Sequence, residues 1–397
     1  MRALESAKSV PGGPCSAARL REVEFSDCIG VSVLKMHHRL KQDSPANWKR
    51  LWNSNPAVEK SGHQPIGWVL EAEGDIVGYI GSIPLRCFYG KTRLKVSATH
   101  GLVVQPEYRA YTGVLVSAYV RQKGVDLLVS TSAGEPAGKL FELFKGQLLP
   151  QADYNTALFW VLNAHGFVAM VQKKLRLNCP LANIGKHIGA ELLRVEQLIR
   201  RRYPRARFQR CEIRELSPSA IGDDFDEFWR NKLAKSSRLM ADRSAEALRW
   251  HFDIPGDQRR PVVLRCDYNG RLVGYAIVVT NVVEGMRKTS LVDMLVEDEE
   301  SHVAPELLIA AIKYARRTSH DVFELVGFPN SIRRLCLAWN PYTRKHSSYF
   351  FKAADRSLHT ALGSADAWYA TPYDGDATLM PEYQPEKPVS ANSYTLA

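Results

Sequence analysis

Residues 99–146 read THGLVVQPEYRAYTGVLVSAYVRQKGVDLLVSTSAGEPAGKLFELFKG, and the rest of the chain is organised around them. A short apolar run, Leu102–Val104, has strand character and is broken by Gln105, Pro106 and Glu107. Tyr108–Gly113 follows, and Val114–Val120 has the apolar periodicity of a helix. A second β-rich run, Asp126–Thr131, leads into the small-residue turn Ser132–Gly138, and a second helix, Lys139–Lys145, closes at Gly146. The implied order is strand, loop, helix, strand, turn, helix.

The loop between the first strand and the first helix suits an anion. A helix N-terminus leaves backbone N–H groups without partners and carries partial positive charge, which is where a phosphate or pyrophosphate fits. Arg109 adds a cation with bidentate donors. Gly113 would let a ligand come close to the backbone, or adopt a positive φ. The alternative on the same residues is an ordinary strand-to-helix turn with a solvated arginine.

Val103, Val104, Pro106, Tyr108 and Arg109 place the segment VVQPEYRAYTG in a recognisable pattern. It resembles the acyl-coenzyme A loop of the GNAT superfamily of N-acetyltransferases, V-x-P-x-[YW]-[RQ]-x-x-G-x-[GA], with Gly113 one residue late and Ala110 and Tyr111 where small residues are common. Ser132–Gly146 resembles the family's N-x-x-A-x-x-L-Y-E-K-x-G-F segment through Ala137, Leu140, Glu142 and Gly146, with Phe141 at the usual tyrosine. Upstream, GWVLEAEGDIVGYIGSIPLRC resembles the family's first hairpin, so the likeness spans roughly residues 19–175. It implies that acetyl-CoA or another acyl-CoA is the donor. The implied donor contacts are Val103, Val104, Gln105, Tyr108, Arg109, Ala110, Tyr111, Thr112, Gly113 and Val114, with Ser132, Ala137 and Phe141 from the second segment.

The implied reaction is direct acyl transfer to an amine or hydroxyl, with no metal and no covalent intermediate. The enzyme must orient the thioester carbonyl, remove a proton from the acceptor and protonate the leaving thiolate. A backbone N–H near Val103 or Val104 is the expected carbonyl donor. The candidate acid and base residues are His100, Tyr108 and Glu135. Each also has a plain structural reading: a hydrogen-bonded strand histidine, a packed tyrosine and a solvated turn carboxylate.

The remainder extends this picture. The chain has 397 residues, too many for one compact core, so two domains are expected. Hydrophobic residues are 45% and charged residues 24%, ordinary for a globular protein, and no run approaches the ~20 apolar residues of a membrane helix. The N-terminus lacks a signal-peptide core, so a cytoplasmic location is expected. The seven cysteines are scattered without a C-x-x-C pair, and read as reduced thiols rather than a metal site or disulfide frame. The net charge of +11 suits an anionic partner, and much of it lies in residues 173–210.

LRCDYNGRLVGYAIVVTNV (264–282) echoes WVLEAEGDIVGYIGSIPL (68–85), both with L/I-V-G-Y after a turn, which reads as an internal duplication. Two similar hairpins without common ancestry is the alternative. The second copy has Glu297–Glu300, four acids in a row, where a pyrophosphate would be repelled, so one donor site in the first copy is expected. ADRSAEALRWHFDIP, GFPNSIRRLC and WYATPYDGDATL resemble paired-GNAT proteins of the CelD-like and FemAB-like type.

The expected fold is α/β (α+β): two tandem GNAT-like domains, each a mixed, mostly antiparallel twisted sheet flanked by helices. The expected boundaries are a disordered lead-in at 1–18, a first domain at 19–178, a basic linker helix at 179–210, a degenerate second domain at 211–380 and a flexible tail at 381–397. The linker helix is drawn at Ile184–Arg202, packed through Ile184, Ile188, Leu192, Val195 and Ile199, and residues 151–177 are read as strands. Trp48 and Trp52, four apart, read as core packing or as a wall of an acceptor pocket. The expected partners are a small amine or amino-sugar acceptor and no nucleic acid, with tRNA left open by the FemAB-like reading, and the expected state is a monomer or homodimer. A non-catalytic acyl-CoA-binding protein is the third reading.

Overall fold

The computed structural model describes residues 17–59, 63–175, 182–202, 210–283 and 285–381. Nearly all of the expected lead-in and tail, together with Cys15, Cys179, Arg205 and Arg207, lie outside these residues. The chain divides into two compact units. The first comprises residues 1–84 and 99–124, and the second residues 85–98 and 125–397.

In the first unit β1 (Arg19–Glu22) pairs antiparallel with β2 (Gly67–Ala72), and β2 with the start of β3 (Asp75–Tyr89). The end of β4 (Thr92–Val104) lies beside β3. Between β1 and β2 the chain forms α1 (Cys28–His37), α2 (Pro45–Trp48) and a π turn, Lys49–Asn53. After β4 a 3-10 turn, Pro106–Tyr111, leads into α3 (Thr112–Val120). Helix α3 buries Leu115, Val116 and Tyr119, and Tyr119 meets Trp68 of β2 edge to face.

In the second unit the first half of β4 pairs in parallel with β5 (Leu127–Ala133), from Val96↔Leu127 to Ala98↔Val129. Helix α4 (Glu135–Leu143) follows, then β6 (Gln147–Leu148), β7 (Thr156–Val161), α5 (Ala164–Lys174) and α6 (Ala182–Ile199). Next come β8 (Glu212–Leu216), α7 (Asp223–Lys235), β9 (Leu239–Ala241) and α8 (Ala245–Phe252). The remaining strands are β10 (Val262–Tyr268), β11 (Arg271–Val283), β12 (Met286–Val296), β13 (Val322–Leu325), β14 (Tyr342–Lys345) and β15 (Ser348–Ala353), with α9 (Val303–Arg317) between β12 and β13.

Strand β15 pairs with β5 and with β6, whereas β7 pairs with β13 in a second sheet of order β14-β7-β13-β12-β11-β10-β8. A strand from the first half of the sequence therefore completes the second sheet, and a late strand completes the β5 side of the first. In the second sheet only β12–β13 is parallel; the other ladders are antiparallel. The core of this unit is the apolar face of α9, with Leu307, Leu308, Ala311, Ile312 and Ala315 against Leu264, Ala276, Met294 and Phe323.

The two echoing hairpins coincide in detail. Each turns through two residues at positive φ, Glu73-Gly74 and Asn269-Gly270, as a type I′ connection requires. Each has a bulge at the same offset, after Leu70 and after Cys266. In each, the valine of L/I-V-G-Y accepts from the first residue beyond the third strand: Gln105 N–H to Val77 O at 2.8 Å, and Glu297 N–H to Val273 O at 3.0 Å.

Two local expectations are corrected. Residues 164–174 form α5 rather than a strand, capped by Asn163, whose side chain accepts from Gly166 N–H. Phe and Val have only a weak bias against helix, which a good cap and tertiary contacts override. Four of the five stripe residues of helix α6, Ile188, Leu192, Val195 and Ile199, are exposed rather than packed, and the side chain of Ile184 lies outside those described. Among its described side chains the buried positions are Ala190 and Gln197, the latter donating to Val161 O at 3.0 Å. Arg202, just beyond the helix, is held by Glu196 and lies over the Tyr342 ring.

Candidate functional site

The donor-loop residues all lie in the first unit. Gln105 is extended (φ −57°, ψ 145°), and Pro106 opens the 3-10 turn, where its missing N–H costs nothing. Tyr108 N–H donates to Gln105 O, and Thr112 Oγ1 to Arg109 O at 2.7 Å. Val103 is buried, Val104, Gln105, Tyr108, Tyr111 and Thr112 are half-buried, and Arg109, Ala110 and Val114 are exposed. Gly113 is the second residue of α3, with helical backbone, so the positive-φ reason for a glycine there does not hold. A Cβ at Gly113 would meet nothing within 4 Å. The space above the helix start is open, which leaves the close-approach reason intact.

The other expected contacts belong to the second unit. Glu135 is exposed at the start of α4 and is paired with Lys139 at 2.8 Å. Ser132 and Thr131 hydrogen-bond Asp376. Ala137 is half-buried, and Phe141 is buried and stacked on Phe350 with ring centroids 6.2 Å apart.

His100 sits two residues past the end of the β4–β5 ladder and is 6% exposed. The first unit brings it to two charged groups that its sequence neighbourhood does not announce: Lys35 on α1 and Asp43 in the segment after it. Lys35 Nζ is 2.5 Å from Asp43 Oδ2 and 3.0 Å from His100 Nε2, and His100 Nε2 is 2.9 Å from the same Asp43 oxygen. Asn47 donates to the other Asp43 oxygen and Ser32 to its carbonyl. Burial works to raise the Asp43 pKa, but His100 and Lys35 outweigh it and hold the carboxyl well below the usual carboxylate range. With Nε2 turned onto Asp43, Nδ1 is the nitrogen left for other chemistry, an arrangement in which a carboxylate fixes the tautomer and orientation of an imidazole.

Aromatic rings enclose this cluster. Trp48 lies 5.2 Å from Trp52 and stacks on Tyr79 at 6.3 Å, and His100 lies 6.3 Å from both Trp52 and Tyr79. Trp52 Nε1 donates to Ser82 O. Tyr79 Oη and Trp48 Nε1 are buried without a hydrogen-bond partner among the described residues. Burial raises the Tyr79 pKa well above its ordinary value, so its hydroxyl stays protonated. Two glycines make room: Gly101 has φ +65° and its Cβ would stand 2.7 Å from Lys35 Cε, while a Cβ at Gly81 would stand 2.3 Å from Tyr79 Oη. The sequence pointed to this cluster through His100 and through the spacing of Trp48 and Trp52; Lys35 and Asp43 carried no signal.

The residues that follow the second echoing hairpin are built differently. Glu297 is paired with Arg271 at 2.6 Å and with Lys235 at 3.4 Å, and Glu299 with Arg238 and Lys232. Behind them Arg243, fully buried, bridges Asp293 and Asp374. Asp374 and Arg243 come from the WYATPYDGDATL and ADRSAEALRWHFDIP segments.

No protein-family model matches the chain, and no curated protein sequence matches it. Solved structures do. A GCN5-related N-acetyltransferase from Anabaena variabilis ATCC 29413 superposes with TM-score 0.54 at 8% identity, over 85% of this chain and 73% of the other. The chain has a GNAT-like fold. A conserved protein of unknown function and probable N-acyltransferase from Enterococcus faecalis V583 matches with TM-score 0.54 at 9% identity, over 85% and 72% of the two chains. A GCN5-related N-acetyltransferase from Kribbella flavida matches with TM-score 0.50 at 12% identity, over 85% and 71%. The mixed, mostly antiparallel sheets flanked by helices match this architecture. Among the described residues no helix is long and apolar enough to cross a membrane.

Proposed function

We propose that the protein is an acyltransferase that moves an acetyl or other acyl group from acyl-CoA to an amine or hydroxyl acceptor by direct transfer. The observation that carries this reading is the segment after β4 in a GNAT-like fold: a helix start with exposed Arg109 and open space at Gly113. Thr112 N–H is already given to Arg109 O, so the pyrophosphate would take the Arg109 guanidinium over the open face at Gly113, and a β4 N–H near Val103 or Val104 would hold the thioester oxygen. His100 takes the acceptor proton on Nδ1 while Asp43 and Lys35 fix its ring. The amine then attacks the carbonyl carbon, and the coenzyme A thiolate leaves, taking a proton from Tyr108. The second copy takes no donor, because its corresponding acids already hold internal cations.

The test is calorimetry with coenzyme A, followed by release of free thiol from acetyl-CoA over a panel of amines and amino sugars. One site per chain is expected, and Arg109→Glu should abolish it. Two equal sites, or a site indifferent to Arg109→Glu, would refute the assignment. Binding of aminoacyl-tRNA without coenzyme A would favour the FemAB-type reading instead, and coenzyme A binding with no turnover a non-catalytic role.

Gly113→Val separates a ligand site from a plain helix start. With helical backbone and free space the valine introduces no strain, and Gly is the poorer helix former, so the unfolding midpoint should hold or rise slightly. Coenzyme A affinity should fall at least tenfold, about 1.4 kcal/mol. Unchanged affinity would remove the loop from the donor site.

A further inference from the structure

A cysteine and a His–Glu pair some ninety residues further on converge at one edge of the second sheet. Cys211 immediately precedes β8, His302 is the residue before α9, and Glu306 lies in the first turn of that helix. Their ligating atoms all lie within 4.8 Å of one another, with Cys211 Sγ 3.6 Å from His302 Nε2. A sulfur at about 2.3 Å and a nitrogen at about 2.0 Å from one tetrahedral zinc ion stand about 3.5 Å apart, so the thiol and imidazole already hold the separation of two ligands.

The fold explains the convergence. His302 and Glu306 are four residues apart and share a helix face. Strand β8 pairs with β10 with Ile213 opposite Cys266, which carries Cys211 to the start of α9. Glu306 is fixed in place: its carboxylate accepts from Arg210 N–H at 3.0 Å and Cys211 N–H at 3.0 Å. A carboxylate has about four acceptor positions, so these bonds orient it and leave capacity for a cation. The Tyr268 ring meets His302 at 5.9 Å and restricts the imidazole. Cys211 and Glu306 are buried while His302 is half-buried, so the imidazole marks the way in from solvent. The Cys266 thiol interacts with that of Cys211 and places a second sulfur beside the group.

We propose that Cys211, His302 and Glu306 form a zinc site in the second unit. A thiolate, an imidazole and a carboxylate are a donor set for Zn2+ rather than for Mg2+ or Ca2+, which take oxygen ligands. Binding replaces the Cys211 thiol proton, which passes to solvent, and leaves a fourth tetrahedral position for a further donor. The ion ties the entry to β8 to the start of α9, so its role is to hold the second sheet to its principal helix. This is independent of the acyl-transfer reading.

The test uses the full chain, stripped with a chelator under reducing conditions and titrated with ZnCl2 against a chromophoric competitor. One equivalent should bind, and the melting temperature should rise with zinc concentration as mass action requires. Co2+ should give a thiolate-to-metal charge-transfer band. Cys211→Ser should remove that band, and Cys211→Ser and His302→Gln should each weaken zinc binding at least tenfold. His302 is partly exposed, so His302→Gln remains informative if the cysteine variant folds poorly. A stripped wild-type chain that takes up no zinc and shows no thermal shift would overturn the proposal, as would zinc binding unchanged by both substitutions.

Discussion

Arg243→Met is expected to destabilise the second unit by about 3–5 kcal/mol, the cost of removing one partner from a buried ion pair. Arg243 is fully buried; its Nη2 is 2.9 Å from Asp293 and 2.7 Å from Asp374, and Nη1 donates to Asp374 at 3.0 Å and to Ala241 O at 3.1 Å. Thr371 accepts from the same guanidinium, and Tyr275 donates to Asp293 at 2.9 Å. Burial favours a neutral arginine, but the two carboxylates outweigh it and hold the Arg243 pKa well above its ordinary value. Methionine fills similar volume yet leaves two carboxylates facing each other out of water, where like charges cannot both stay ionised at ordinary cost. Arg243→Lys should also be costly, because an ammonium cannot span two carboxylates as a planar fork does. Denaturant unfolding measures this, and a loss below about 1 kcal/mol would mean that the network is hydrated or rearranged. The triple variant Arg243→Met, Asp293→Asn, Asp374→Asn should recover part of the loss, since it removes the stranded charges as well.

His100→Gln is expected to lower kcat by a factor of about 10²–10⁴, the range for losing a positioned general base, once an acceptor is in hand. Glutamine can still donate to Asp43, so the buried cluster keeps its carboxylate partner and the fold should survive. Coenzyme A affinity should stay within twofold, because His100 lies on β4 ahead of the donor loop. A kcat within tenfold of wild type would return His100 to a purely structural role. The same cluster predicts an acid-sensitive first unit. Asp43 is held below its ordinary value, so its contribution is fully present above about pH 4 and is lost as pH falls toward the lowered folded value. Asp43→Asn should flatten that part of the pH profile. It should also destabilise the unit at neutral pH, since Lys35, 2% exposed, loses its counter-charge.

The local elements were legible because their signals are local. The Glu73-Gly74 and Asn269-Gly270 turns require positive φ, which few residues supply cheaply, so the two echoing hairpins could be read directly. Pro106 ended β4, and the apolar periodicity of residues 114–120 placed α3 within two residues of its observed start. The VVQPEYRAYTG motif carried the GNAT-like fold at a level of identity where no family model responds.

Only the tertiary structure decided which strands share a sheet, because alternation encodes a strand's buried face and not its neighbour. That is why β7 could join β13, and β15 join β5, without a trace in the local pattern. Helix α6 follows the same logic: periodicity marked a stripe through Ile188 and Leu192, but the packed face is the one carrying Ala190 and Gln197. The chemistry was hidden for a related reason. Lys35 and Asp43 lie far from His100 in sequence, and Cys211 far from His302 and Glu306. Charged and thiol side chains have no period, so nothing in the sequence says which of them will meet. Their meeting is set by where packed helices and strands bring distant backbone together.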